Sequence, residues 1–216
     1  MIPSDVFFST ILIVATITIL FAKNKEVDVQ NEHSESLAVK TRKPHVKELY
    51  EITESMELEE IRTLLKKYTR KAKRIIPDFP EYPMFVPSPP PNKGNYSSKG
   101  ERCCIEFMEL LFNGKKFPKV RPNWLKNKVH NTGRNLELDG FCEELGIAIE
   151  YNGVQHYEWP NFTGMTRDEF IRQRERDQYK VETCINKDIC LIRIPYRVPL
   201  ERIPVAIYCK LLESAL

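Results

Sequence analysis

The residues with the most chemical capacity sit in two short runs. In LELDGF, Leu136 and Leu138 alternate with Glu137 and Asp139; in GIAIEYNG, Ile147, Ile149 and Tyr151 alternate with Ala148, Glu150 and Asn152. Alternation of period two reads as a pair of strands, each with two distinct faces. A turn centred on Glu144-Leu145 sets Asp139 across from Glu150. Cross-strand neighbours have Cβ atoms about 5 Å apart, and like charges there repel. Two carboxylates so placed want a cation between them. Hard oxygen ligands suit Mg²⁺ (or Mn²⁺), which keeps waters and also binds phosphate oxygens. The plain alternative is two acids on a solvated face.

Three more positions extend that chemistry. Phe170, Asp177, Val181 and Cys184 fall on one stripe of a 3.6-residue period, so Asp177 is a carboxylate on the inward face of a helix. A buried acid needs a cation or hydrogen-bond donors; a structural pair with Arg174 or Arg176 would serve. Gly153 permits a sharp exit from the second strand, and Gln155 and His156 follow at once. An imidazole beside a carboxylate-bearing strand end can act as a general base or leaving-group acid, or be merely structural. Glu101 opens a helix after the SSKG turn, where the helix dipole alone would favour an acid.

The elements that must position these groups can be read along the chain. Helices are expected over Lys99 to Phe112, Thr166 to Lys187 and from about Arg202, with Pro204 in the first turn. Strands are expected over Phe117 to Val120, Leu136 to Phe141, Ile147 to Tyr151 and Cys190 to Ile194. The order is α-β-β-β-α-β-α. Upstream, Val46 to Ile76 reads as one or two helices, and Pro77 to Pro91 holds seven of the fifteen prolines, as an extended linker would.

Between Lys115 and Arg134 lie Lys115, Lys116, Lys119, Arg121, Lys126, Lys128 and Arg134 without one acid, with Trp124 and His130 interleaved. Cations to hold a polyanion next to carboxylates to hold a metal are what a phosphodiester substrate requires. A second acid-free run is Arg62, Lys66, Lys67, Arg70, Lys71, Lys73 and Arg74. It reads as a solvated helix face, a contact for anionic lipid, or a contact for a nucleic-acid backbone. Tyr157, Trp159 and Phe162 follow the histidine and could stack on bases or pack as a cap.

The 216 residues carry 33 Lys+Arg against 30 Asp+Glu, a formal charge of +3, too small to argue a polyanion partner without its distribution. An apolar fraction of 42% excludes disorder throughout. Six cysteines contain no C-x-x-C pair and are not spaced with the histidines as zinc ligands, so reduced thiols are expected. Val6 to Ala22 is uncharged for seventeen residues, the lower limit for crossing a bilayer. No Lys or Arg precedes it, which argues for an uncleaved single-pass anchor over a secretory leader. Lys23 and Lys25 after it place the body in the cytosol. The expected organisation is an anchor over 1–23, a polar segment and basic helix over 24–76, a linker over 77–94 and the chemistry-bearing domain over 95–216.

The run from SSKGE through LELDGF and IEYNGVQHY to RERDQYK and LIRIPY resembles the PD-(D/E)XK restriction-endonuclease-like superfamily, in its very-short-patch-repair and EDxHD homing-endonuclease branch. The resemblance covers about residues 97 to 197. It implies an α/β (α+β) fold, with an α-β-β-β-α-β core whose mixed sheet is flanked by helices, and Mg²⁺-dependent cleavage of nucleic acid, DNA foremost. It makes Glu101 the first-helix acid, Asp139 and Glu150 the metal-binding acids, His156 the catalytic histidine and Asp177 its orienting acid. The superfamily's lysine two residues after the second acid is absent: Asn152 stands there, and Gln155 with His156 would take over its part. The rivals are a catalytically silent nuclease fold that binds nucleic acid at a membrane, and a structural membrane protein.

Overall fold

The computed structural model describes residues 48–53, 55–87, 98–128 and 133–216. The expected anchor over Val6–Ala22, most of the polar segment, the end of the proline run and His130 lie outside them. Among the described residues no helix is long and apolar enough to cross a membrane.

The chain divides into two compact units, one taking the described residues up to Tyr82 together with Tyr208–Leu216, the other Pro83–Ile207. The division falls inside the proline-rich stretch. In the first unit, α1 (Glu48–Thr53) precedes α2 (Leu58–Ile75). The backbone N–H of Glu57 donates to the Glu60 carboxylate at 3.1 Å, closing the start of α2. One stripe of α2, Ile61, Leu65, Thr69 and Ala72, is buried. Tyr208 seals this core: its hydroxyl lies 2.7 Å from Thr69 Oγ1 and donates to the Pro80 carbonyl at 2.6 Å. Phe79, also buried, meets its ring edge-on.

The second unit is a mixed three-stranded sheet with helices. Its elements are α3 (Lys99–Leu111), β1 (Gly140–Cys142), β2 (Ile147–Asn152), α4 (Arg167–Asn186), β3 (Cys190–Pro195) and the start of α5 (Ile203–Ala215). Strand order is β1-β2-β3, with β1 antiparallel and β3 parallel to β2. The expected turn at Glu144-Leu145 is a 3₁₀ turn over Glu143–Leu145, closed by Gly146 at φ 62°, a left-handed conformation that glycine adopts without steric cost. Both helices start on side-chain caps. Ser98 Oγ accepts from the Glu101 N–H at 3.0 Å, and Thr166 and Glu169 form a reciprocal box.

The first expected strand does not form as such. Phe117 to Val120 contributes one bridge, Val120 to Leu138, and the Pro118 carbonyl accepts from Phe141 N–H. Pro118 has no N–H to donate, so the ladder cannot run on. A bend at Asp139 likewise shortens the expected Leu136–Phe141 strand to Gly140–Cys142. The two sheet faces follow the alternation. Ala148 packs with Leu125, Leu138, Phe141 and Cys184 of α4, while α3 covers β2 on the Ile149 and Tyr151 side. Space there is tight: a Cβ on Gly100 of α3 would meet the Tyr151 ring at 2.2 Å, and one on Gly140 would meet Ile105 at 2.3 Å.

Candidate active site at the end of the hairpin

The β1–β2 ladder begins at Gly140 opposite Ile149, and carrying that register one residue further would bring Asp139 level with Glu150. Asp139 lies in the bend just before β1. Its carboxylate is held by the backbone: Tyr151 N–H donates to Asp139 Oδ2 at 3.1 Å.

Two lysines stand among these acids. Lys119 Nζ lies 2.6 Å from Glu101 Oε1 and 3.8 Å from Asp139 Oδ1. Burial pulls the Lys119 ammonium down, but Glu101, with Asp139 and Glu137, holds it above its ordinary value. Glu150 is 4% exposed and pairs with Lys180 of α4. Burial pushes the Glu150 carboxyl up; Lys180 pulls it back, and Asp139 and Asp177 push it up again. These opposing effects leave it raised, with Asp139 and Asp177 each close enough to Glu150 to act on it.

His156 ends a 3₁₀ turn over Val154–His156, directly after β2. Its Nδ1 lies 2.6 Å from Asp177 Oδ2. Asp177 therefore takes the histidine as its partner, in place of the structural pair with Arg174 or Arg176. The orientation is fixed one layer further out. Gln173 Nε2 donates to Asp177 Oδ1 at 2.8 Å, and Arg176 donates to Gln173 Oε1 at 2.6 Å. Arg176 thus sets the Gln173 amide so that its NH₂ faces the carboxylate. The Gln173 amide nitrogen also lies 3.2 Å from Nδ1; a hydrogen on Nδ1 given to Asp177 would leave Nε2 to exchange a proton. A cleft of about 690 Å³ opens beside this pair, lined among others by Asn152, His156, Tyr157, Arg174, Asp177 and Arg193.

The structure thus gathers Glu101 and Asp139 around Lys119, and Glu150, His156 and Asp177 along β2 and α4. Gln155 shares no hydrogen bond with them; its amide folds against Gly153, where a Cβ would lie 2.4 Å from its Oε1. Among the described residues no group of three or more His, Cys, Asp or Glu side chains stands ready as a metal cage. Of the seven expected nucleic-acid contacts, Lys115 pairs with Glu144, Lys116 with Glu109, Lys119 with Glu101 and Arg121 with Glu137. Lys126, Lys128 and Arg134 make no ion pair among the described residues. In the aromatic loop, Tyr157 packs near Tyr196 and Trp159 Nε1 donates to the Met165 carbonyl, while Phe162 is 87% exposed. All six cysteines are buried free thiols.

Sequence reasoning missed Lys180 and Gln173. Both were findable: they stand three residues after and four before Asp177, which places them on its helical face.

No protein-family model and no solved structure matches the chain. Three viral proteins are similar to part of the chain. The uncharacterized protein 033L of Invertebrate iridescent virus 3 is 38% identical over 114 residues, 53% of this chain and 57% of that protein. The uncharacterized protein 307L of Invertebrate iridescent virus 6 is 36% identical over 126 residues, 53% of this chain and 63% of that protein. The uncharacterized protein 094L of Frog virus 3 is 42% identical over 102 residues, 47% of this chain and 64% of that protein. The chain thus spans less than two thirds of each.

Proposed function

We propose that the second unit is a Mg²⁺-dependent endonuclease with a restriction-endonuclease-like core, hydrolysing nucleic-acid phosphodiester bonds, DNA before RNA. The observation that carries this reading is the His156–Asp177 pair, 2.6 Å apart and beside the buried Glu150 at the end of the hairpin. A histidine oriented by an acid, next to sheet-end carboxylates and a cleft, is machinery for moving a proton at a phosphate. The antiparallel β1–β2 pair, the parallel β3 and the helices α3 and α4 support the fold part of the reading.

The donor set fits the metal. Asp139 and Glu150 offer hard oxygens, and Mg²⁺ is ordinarily held by one or two carboxylates together with waters and substrate phosphates, so an all-protein cage is not needed. When bound, the ion supplies Lewis-acid polarisation of the phosphate and charge stabilisation. The chain's own groups do the rest. Asp177, set by Gln173, holds the His156 ring; Nε2 takes a proton from water, or in the charged ring gives one to the leaving oxygen. Glu101, through Lys119, fixes the charge around Asp139. Lys180 stands on Glu150 from the helix and supplies the cation that Asn152 cannot. We propose in addition that Val6–Ala22 anchors the chain in a membrane with its body in the cytosol, on the strength of the uncharged run and the lysines after it.

A second reading has its own observation. Lys119 and Lys180 already neutralise Glu101 and Glu150, as a catalytically silent nucleic-acid-binding copy of the fold could tolerate. Plasmid nicking by the full-length protein, with Mg²⁺ and with EDTA, separates the two. The endonuclease reading expects nicking with Mg²⁺, none with EDTA and none from Asp139→Ala. DNA binding by both proteins with cleavage by neither would establish the silent copy.

A further inference from the structure

The cations expected to grip a phosphate backbone are largely spent on carboxylates: Lys115, Lys116, Lys119 and Arg121 all carry ion pairs at 2.5 to 2.9 Å. The helix α2 presents the opposite situation. Its stripe of Ile61, Leu65, Thr69 and Ala72 is buried, and on the reverse face Lys66, Lys67, Arg70, Lys71 and Arg74 are all exposed. None of these five has a carboxylate within ion-pair distance among the described residues; Lys71 lies over the Tyr68 ring, which leaves its charge intact. The flanking cations are neutralised, Arg62 by Glu59 and Lys73 by Glu81. The result is five uncompensated charges on one face of a rigid helix, from Lys66 to Arg74 about 12 Å at 1.5 Å per residue.

We infer that this face of α2 is a backbone contact for nucleic acid, a second one beyond the cleft beside His156. The inference rests on the nucleic-acid part of the function proposed above, and on neither the metal nor His156. Two physical points favour a nucleic acid over a membrane surface. An interfacial helix binds lipid by sinking its apolar face among the acyl chains, and the apolar face of α2 is taken up by its own core. A phosphodiester chain asks for nothing apolar: it offers regularly spaced charges, and each cation that neutralises a phosphate releases a counterion. The contact carries no base information, so it adds affinity without sequence preference.

The test is the salt dependence of binding by the full-length protein in neutral detergent, read by anisotropy of a fluorescein-labelled DNA duplex across a KCl titration. Each phosphate neutralised contributes about −0.9 to the slope of log K against log salt. The triple variant Lys67→Gln/Arg70→Gln/Arg74→Gln should flatten the slope by about 2.7 on that basis, with an unchanged thermal melt because these side chains touch no core. Arg62→Gln/Lys73→Gln, which removes paired cations from the same helix, should flatten it by less than about one. An unchanged slope in the triple variant overturns the inference. So does loss of binding to phosphatidylserine vesicles by the triple variant with its DNA slope intact, which would make the face a lipid contact. Absence of any DNA binding by the wild type overturns both this inference and the proposed function. A flattened slope in a protein that never nicks plasmid leaves this contact standing and removes the catalytic reading alone.

Discussion

Lys180→Met is the substitution whose consequences the structure fixes most closely. The Lys180 and Glu150 side chains are 12% and 5% exposed, so the pair is buried on both sides. Removing one partner of a buried pair leaves an uncompensated charge and costs about 3–5 kcal/mol. Against a total stability of about 5–15 kcal/mol that is a large share, and it corresponds to a fall in Tm of about 6–20 °C for a chain of this size. The loss must also depend on pH, and its sign is set by Glu150. Burial already raises that carboxyl, and Lys180 is the main group pulling it back; without the lysine it rises further. A raised carboxyl means that the folded state holds the proton more tightly than the unfolded one. The associated stability is complete below the ordinary carboxylate value and is lost as pH climbs through the folded value. The variant should therefore be most damaged at about pH 8 and partly rescued toward about pH 5, where Glu150 can take a proton. Urea denaturation followed by tryptophan fluorescence reads this directly, because Trp124 and Trp159 both lie in the unit that holds the pair. Adding Glu150→Gln should restore part of the loss at the higher pH. Equal losses at both pH values, or a loss under about 1 kcal/mol, would refute the reasoning.

Other substitutions and reagents test separate parts of the account. Asp177→Asn should lower the rate of plasmid nicking about 10²–10⁴-fold, the usual worth of positioned proton transfer, while duplex binding by anisotropy stays unchanged. Gln173→Leu should give a smaller fall in kcat with KM for DNA unchanged, since it acts only by holding Asp177. Tyr208→Phe leaves the Pro80 carbonyl without its donor and should cost about 1–3 kcal/mol in a thermal or urea melt. Burial pushes the Cys103 thiol up to about 11 and the Cys184 and Cys209 thiols up to about 12. All six cysteines are buried and should resist a thiol reagent in the native protein at about pH 8, then react once it is unfolded in urea.

Much of this site could be read from alternation and helical period alone. The β1–β2 pairing about the turn at Glu144-Leu145 follows from the alternation, and with it the placing of Asp139 just before the first paired residue, Gly140. Asp177 on an inward helix face follows from the stripe it shares with Phe170 and Cys184. What the pattern could not supply was the choice of partners. Lys119 looked like one more cation in a basic run, and only the approach of α3 to the segment before β1 makes Glu101 its neighbour. Lys180 was hidden in a helix dense with charge, and its role depends on Glu150 pointing at α4 across the sheet. The Phe117–Val120 strand failed for a local reason: Pro118 has no donor, and Asp139 bends the partner strand.

The claim on which the rest depends is that Asp139 and Glu150 serve a single divalent ion. Anomalous diffraction from a crystal soaked in Mn²⁺ tests it most directly. The account predicts one anomalous peak within about 2.5 Å of a carboxylate oxygen from each residue. A saturating soak with no peak between Asp139 and Glu150 would contradict it.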